Sequence, residues 1–308
     1  MRILIAGGSG FLGTHLTTAL ATAGHDVCIL SRREGPESAR PRGRSRTLAW
    51  VPDGSLGPWT SACGPTDAVI NLAGASIGDG RWSAARKAAL VATRINATRS
   101  IVRFIEHASP RPSVLINASA IGIYGDRGSD VLTEDAIAGS DFLASLCRDW
   151  ETEARRVESS QTRVILLRTG LVLDSRGGAL PKMLLPFRLW AGGPFGSGRQ
   201  YMSWIHRDDW LAMAIWLLGA PAVAGPVNAT APCPVTNTEF VRTLGRILHR
   251  PSWLPAPPLA LKVALGEMAG PLLLFSQRVV PDRASRGGFV FAHPGLEEAL
   301  SSLLARRV

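Results

Sequence analysis

The segment RILIAGGSGFLGTHLTTAL, which opens the chain after Met1, constrains the fold more than any other. Ile3 to Ala6 reads as a short buried strand and Phe11 to Ala23 as a helix, with glycines at 7, 10 and 13 at the handover. In a strand-to-helix turn of this kind each glycine has a separate physical task. Gly7 makes the tight turn, and Gly10 lets a diphosphate approach the backbone. Gly13 lets the helix pack closely on the strand, with its N-terminus facing the anion. An ordinary strand–helix turn also accommodates three glycines, so the motif needs support from the rest of the chain.

That support is organisational. Strand-like runs DVCILS, TLAW, DAVINLAG (Asp67 to Gly74), SVLINASA and RVILLRTGLVL alternate with helical stretches near 83–107 and 141–158. Near-continuous apolar strands between helices predict an α/β fold, a Rossmann doubly wound parallel sheet. After Gly170 the pattern changes. A glycine-entered helix, a strand running into a helix (YMSWIHRDDWLAMAIWLL) and the short strand PVNAT follow. Thr236 and Glu239 form a capping box for a helix reaching about His249. The division expected is a dinucleotide-binding domain over 1–170 and a smaller C-terminal substrate lobe over 171–308. Part of 201–230 is expected to return to the core.

At the end of the second strand a residue should read the adenosine ribose. NAD usually meets an acidic residue there, and NADP a basic one. The chain offers Ser31, Arg32 and Arg33, with no carboxylate before Glu34. A guanidinium fork suits a 2′-phosphate, so NADP(H) is the preferred cofactor. The alternative is an exposed loop arginine. The candidate cradle comprises Gly7, Ser9, Gly10, Phe11, Leu12 and Gly13, with Ser31, Arg32 and Arg33 at its adenosine end.

The formal charge of +10, from 34 basic and 24 acidic residues, raises nucleic acid as another partner. The densest cluster, Arg32, Arg33, Arg40, Arg42, Arg44 and Arg46, has no interleaved aromatic residues for base stacking. A solvated loop with one or two arginines recruited for a phosphate is preferred. The four cysteines form no C-x-x-C pair, which argues against a zinc site or a disulfide framework. No signal-peptide pattern opens the sequence. The apolar run from Leu259 to Phe275 is interrupted by Lys262, Glu267, Gly270 and Pro271. A soluble cytoplasmic protein acting on a small molecule is expected, without nucleic-acid or membrane partners. A homodimer is the candidate assembly.

Further segments carry a family resemblance nearly end to end: NLAG, GDGRWSAARKAAL, RINATRSIV, INASAIGIYG, FLASLCRDWE, LLRTGLVL, GGALPKMLLPFRLWAGGPFGSGRQYMSWIHRDD and GPVNATAP. With the glycine motif they make the chain resemble extended short-chain dehydrogenase/reductases of the atypical "epimerase family" branch. The resemblance implies that Leu72, Ala73 and Gly74 line the adenine and diphosphate side, and that Asn96 is a structural asparagine. It implies that Ala118 and Ser119 lie by the catalytic serine position, and that Thr169, Gly170 and Leu171 pass the nicotinamide. His206 and Asp209 would mainly organise structure. The superfamily's Tyr-x-x-x-Lys pair is missing. Tyr124 is followed four residues on by Gly128, and Tyr201 by Ile205. Matching on Glu151 places Leu143 and Cys147 where the tyrosine and lysine would stand.

Hydride transfer to a carbonyl needs a proton donor near the developing alkoxide. Ser119 and Tyr124 are the catalytic candidates, each following a strand that ends at the substrate edge of the sheet. Tyr124 reads equally as a structural tyrosine before Gly125. Lys182 reads as a surface lysine or a pocket residue, and His206 as a hydrogen-bonded core residue. Cys147 reads as a buried inert thiol. Arg81, Arg86 and Arg94 read as helix-surface charges or as contacts for an anionic ligand. The glycines of AGGPFGSGRQ suggest a mobile loop over the site. Two functions remain: an NADP(H)-dependent oxidoreductase or epimerase with an unconventional proton donor, and a non-catalytic NADPH sensor.

Overall fold

The computed structural model describes residues 1–32 and 44–304. Seven parallel strands form the main sheet: β1 (Arg2–Ala6), β2 (Asp26–Ser31), β3 (Ser45–Ala49), β4 (Ala68–Asn71), β5 (Val114–Ala120), β7 (Arg163–Thr169) and β11 (Gly225–Ala229). Their order is β11-β7-β5-β4-β1-β2-β3, so the direction of winding reverses between β1 and β4. This is the switch point at which doubly wound sheets bind ligands.

Both faces of the sheet are covered, which explains the uninterrupted apolar runs. Ile3 and Ile5 of β1 pack with Leu16 and Leu20 of α1 (Phe11–Thr22) and with Trp210 and Met213 of α6 (Arg207–Leu218). Leu4 and Ala6 face the other way. They join Ile101 and Ile105 of α3 (Ala84–His107), Ala154 of α4 (Phe142–Arg155) and Trp59 of α2 (Trp59–Cys63). Ser83 and Asp141, read from the sequence as helical starts, are caps. Ser83 Oγ accepts from Arg86 N, and the Asp141 carboxylate from Leu143 N and Ala144 N.

The run RVILLRTGLVL is not one strand. β7 stops at Thr169, and β8 (Leu171–Leu173) pairs instead with β10 (Trp204–His206). Gly170 marks the break because the Ser203 backbone comes so close that a Cβ would lie 2.6 Å from its carbonyl oxygen. A separate hydrophobic cluster packs α5 (Leu180–Arg188), α7 (Asn237–Leu248) and α10 (Leu296–Leu304) around Phe187, Trp204, Phe240 and Leu300. The capping box of Thr236 and Glu239 is formed. Two further short ladders join β9 (Tyr201–Met202) to β12 (Val235–Thr236) and β6 (Val131–Leu132) to β13 (Arg278–Val279). α8 (Pro258–Leu265) buries none of its residues, and α9 (Asp282–Arg286) lies against β11. Among the described residues, no helix is long and apolar enough to cross a membrane.

His206 and Asp209 tie the start of α6 to the C-terminal segment. His206 caps α6: its Nδ1 accepts from Asp208 N at 3.0 Å, which leaves the proton on Nε2, 3.2 Å from Ser302 Oγ. The Asp209 carboxylate accepts from Ala292 N and His293 N at 2.8 and 2.9 Å. Burial, and then the neighbouring His293, hold the His206 imidazole below its ordinary pKa. As pH falls, the unfolded chain therefore takes up this proton before the folded one does. The stability contributed by neutral His206 is present above the ordinary imidazole pKa and is lost below it. Lowering the pH from about 7.5 to about 5.5 should cost the native protein more stability than it costs His206→Asn. Asparagine retains a capping acceptor and does not titrate. Equal losses in urea denaturation of the two proteins would contradict this role for His206.

Candidate functional site

A cavity of about 610 Å³ opens at the C-terminal ends of β1, β2 and β4, beside the switch point. Its floor is the glycine turn. Gly7 has φ +78°, and a Cβ there would lie 2.9 Å from the Leu72 carbonyl. A Cβ on Gly13 would run into the Gly7 carbonyl oxygen and lie 2.7 Å from Gly8 Cα, so helix and turn are in direct backbone contact. Gly10 differs from both. It caps α1, donates its N–H to Gly7 O at 3.0 Å and lines the cavity. A Cβ on it would meet only Gly7 O, at 3.2 Å. That single contact is tight, and the remaining space around Gly10 belongs to the cavity.

Ser9, Ser31 and Arg32 line the same cavity, with Ser9 Oγ 3.3 Å from Ser31 Oγ. Arg33 lies outside the described residues. The side chains of Phe11 and Leu12 pack against the main core, and the Phe11 ring closes on Gly177 and Gly178. Their contribution to the cradle is the start of α1. Leu72, Ala73 and Gly74 form the opposite wall. Trp50, Pro52 and Thr93 complete it, and sequence reasoning missed them. The available signal was Trp50's place directly after the strand TLA, at the ligand edge of a parallel sheet.

The wall after β4 is fixed from below. Asn71 Oδ1 accepts from Ala73 N at 3.2 Å, while its Nδ2 donates to Asn117 Oδ1 at 2.7 Å and to Thr98 Oγ1 at 2.9 Å. Trp150 Nε1 donates to the same threonine at 2.8 Å. The polar link from α3 to the sheet thus runs through Thr98, whereas Asn96 is half-buried on α3. Arg94 lies under Gly74 and is buried. It donates to Leu90 O and Ala75 O at 3.1 and 3.0 Å, with its guanidinium over the Trp150 ring. Burial pulls its pKa down to about 10.

At the other end of the cleft the two hydroxyl candidates meet each other's network, but on the core side of β5. Ser119 Oγ donates to Glu151 Oε1 at 2.7 Å. Arg168 grips Glu151 with two bonds, Nε to Oε1 at 2.8 Å and Nη2 to Oε2 at 2.9 Å. Its Nη1 donates to Tyr124 Oη at 3.0 Å, and Tyr124 donates to Asn228 Oδ1 at 2.7 Å. The Tyr124 side chain is fully buried, and burial pushes its pKa up. Both hydroxyls are thus engaged inside one buried network. The cause is strand alternation: Ser119 stands level with Arg168 in the β5–β7 ladder, and both point toward α4. Ala118 and Ala120, on the opposite face of β5, are half-buried, as are Thr169, Gly170 and Leu171. Thr169 Oγ1 accepts from Trp210 Nε1 at 3.1 Å.

Leu143 and Cys147 are buried on α4. Burial, and then Glu151, push the Cys147 thiol up to about 12, so it is inert near neutral pH. Lys182 is exposed and lies 3.8 Å from Asp79. Arg81 donates to Val263 O and Ala264 O at 2.7 and 3.1 Å, and Arg86 donates to Ser76 O at 2.6 Å. Arg81 thus ties the loop after β4 to α8, and Arg86 ties it to α3. The glycine segment near 191–200 is tied down rather than free: Gly196 N bonds Ala256 O at 2.9 Å, and Phe195 N bonds Asn237 Oδ1 at 2.7 Å. Its glycines serve close packing against Leu254 and Phe187.

Comparison with known proteins agrees with this architecture. Residues 3–229 match the NAD dependent epimerase/dehydratase family, and residues 256–303 match a domain of unknown function, DUF1731. Epimerase family protein YfhF of Bacillus subtilis is 41% identical over 308 residues, covering 100% of this chain and 99% of the relative. The chloroplastic SDR39U1 homolog of Arabidopsis thaliana is 38% identical over 99% of this chain and 87% of its own length. The crystal structure of human epimerase family protein SDR39U1 (isoform2) with NADPH superposes with a TM-score of 0.89, at 33% identity and full coverage of both chains. UDP-glucuronic acid 4-epimerase of Bacillus cereus, at 16% identity and a TM-score of 0.79, shares the fold. The chain belongs to the NAD dependent epimerase/dehydratase family, as an atypical extended short-chain dehydrogenase/reductase.

Proposed function

We propose that this protein binds NADP(H) in the cavity at the switch point and acts as an oxidoreductase or epimerase on a small molecule. The observation that carries this reading is the cavity face of Gly10 at the N-terminus of α1, where the helix dipole favours a diphosphate. Arg32, on the cavity wall, is the group for a 2′-phosphate. The NADPH of the human relative supports the same cofactor. The bound nicotinamide would supply the hydride chemistry. Thr169, Gly170 and Leu171 would position it, and the β4 wall would hold the adenosine end. A small-molecule substrate, a cytoplasmic setting and a homodimeric assembly complete the proposal, with no role for nucleic acid or membrane.

One observation favours a second reading. Ser119 and Tyr124 direct their protons to Glu151 and Asn228, so neither proton is offered to a substrate. A non-catalytic NADPH sensor needs no such donor. Screening NADPH oxidation against carbonyl compounds separates the two. Turnover supports the enzyme, with water or a substrate group supplying the proton. Absence of turnover, together with a partner whose association depends on NADPH, supports the sensor.

Calorimetric titration should show tighter binding of NADPH than NADH, with Arg32→Ala losing about 1.5–3 kcal/mol toward NADPH alone. Equal affinities would refute the phosphate assignment.

Gly10→Val should abolish NADPH binding while its thermal transition stays near that of the native protein. Gly13→Val should fail to fold stably, because its side chain meets backbone. Normal NADPH binding by Gly10→Val would remove the cradle.

Tyr124→Phe should lose about 1–3 kcal/mol in denaturant unfolding, since Asn228 and Arg168 each lose a buried partner. Its NADPH affinity should stay within about twofold of the native value, a few tenths of a kcal/mol. A variant of unchanged stability would show that the buried hydroxyl is not structural.

A further inference from the structure

The four cysteines divide into one pair and two singles. Cys147 is buried beside Glu151 and Arg94, and Cys233 is exposed. Cys28 in β2 and Cys63 at the end of α2 are 35 residues apart in sequence, yet their sulfurs are 3.7 Å apart. Arg46 stands level with Cys28 in the β2–β3 ladder, hydrogen-bonds its sulfur and donates to the Cys63 carbonyl. The hydrogen bond from Cys63, and then the Arg46 guanidinium, bring the Cys28 thiol down to about 7. The same bond, and then burial, push Cys63 up. Cys28 is therefore the more readily ionised thiol of the pair.

This pair is reachable. A second cavity, of about 880 Å³, lies at the opposite end of the strands from the dinucleotide site and is lined by both cysteines together with Arg2, Arg44 and Arg46. Cys28 is 8% and Cys63 5% exposed, openings that suit a molecule of a few atoms and not a protein oxidant.

We propose that Cys28 and Cys63 are a redox-active dithiol that small hydroperoxides oxidise to an intramolecular disulfide. The Cys28 thiolate attacks one peroxide oxygen and the O–O bond breaks. Cys28 becomes a sulfenic acid, and the departing alkoxide or hydroxide takes a proton from solvent. Cys63 then gives up its proton as its sulfur attacks that of Cys28. The S–O bond breaks, water leaves and the S–S bond forms. Two thiols lose two electrons, and the hydroperoxide is reduced to water and an alcohol, or to two waters for hydrogen peroxide. The sulfurs need to close from 3.7 Å to about 2 Å. The bond would enclose residues 28–63, the segment that carries Ser31, Arg32, Trp50 and Pro52 into the dinucleotide cavity. It requires neither bound cofactor nor turnover, so it stands independently of the proposed function.

The test uses the full-length protein, reduced, desalted and exposed to a small excess of hydrogen peroxide. Remaining thiols are then alkylated and the peptides mapped by mass. The expected result is a linked pair of peptides containing Cys28 and Cys63, with Cys147 still alkylated and the link removed by dithiothreitol. Cys63→Ser should instead stop at a sulfenic acid on Cys28 that a 1,3-dicarbonyl reagent traps. If both thiols remain alkylatable at doses that oxidise exposed Cys233, the proposal fails. A link from Cys28 to any other cysteine also overturns it. The decisive readout is on the native sequence, so it does not depend on a variant folding.

Discussion

The buried ion pair of Glu151 and Arg168 holds together the part of the molecule where chemistry would otherwise be expected. It joins α4 to β7, takes in Ser119 from β5 and, through Tyr124, reaches Asn228 on β11. Two charges this deep are costly to desolvate. They persist because each accepts or donates several hydrogen bonds, and removing one partner of such a pair typically costs about 3–5 kcal/mol. On α4 the helical period aligns Leu143, Cys147 and Glu151 on one buried face. That face presents an apolar side chain, a thiol and a carboxylate, and the carboxylate is already engaged.

A different constraint governs the cofactor end. The close backbone contact of Gly13 with the turn at Gly7 and Gly8 sets the distance between β1 and α1, and so aims the helix N-terminus at the cavity, while Gly7 brings the turn against the Leu72 carbonyl. The facing wall depends on Asn71, whose side chain holds Ala73 while being held by Thr98 and Asn117. One half of the cleft is thus fixed by the absence of side chains, and the other by a satisfied polar seam. Both favour a preformed site, which reduces the ordering cost of binding.

Local signals in the sequence carried most of the fold. The glycine spacing, the apolar strand runs and the capping box at Thr236 each declare themselves within a few residues, and all appear in the structure. What was not legible depends on partners distant in sequence. Trp50 reaches the cavity only because β3 lies beside β2. Gly170 ends β7 because Ser203 approaches it, and Cys28 finds Cys63 across 35 residues. Arg168 reads as an ordinary charged residue until α4 brings Glu151 over it.

The orientation of Ser119 shows how firmly such pairings decide chemistry. In the β5–β7 ladder Asn117 stands opposite Leu166 and Ser119 opposite Arg168, with Ile116 and Ala118 on the other face. Turning Ser119 toward the other face would require a one-residue slip of β5, which reverses every side chain on it. Asn117 would then leave Asn71, freeing the wall that shapes the cofactor cavity, and Ile116 would leave the α1–α6 core. The register that builds the dinucleotide site is therefore the register that turns the serine inward. In that register the protons of Ser119 and Tyr124 are held by Glu151 and Asn228, inside the same seam that carries the buried ion pair.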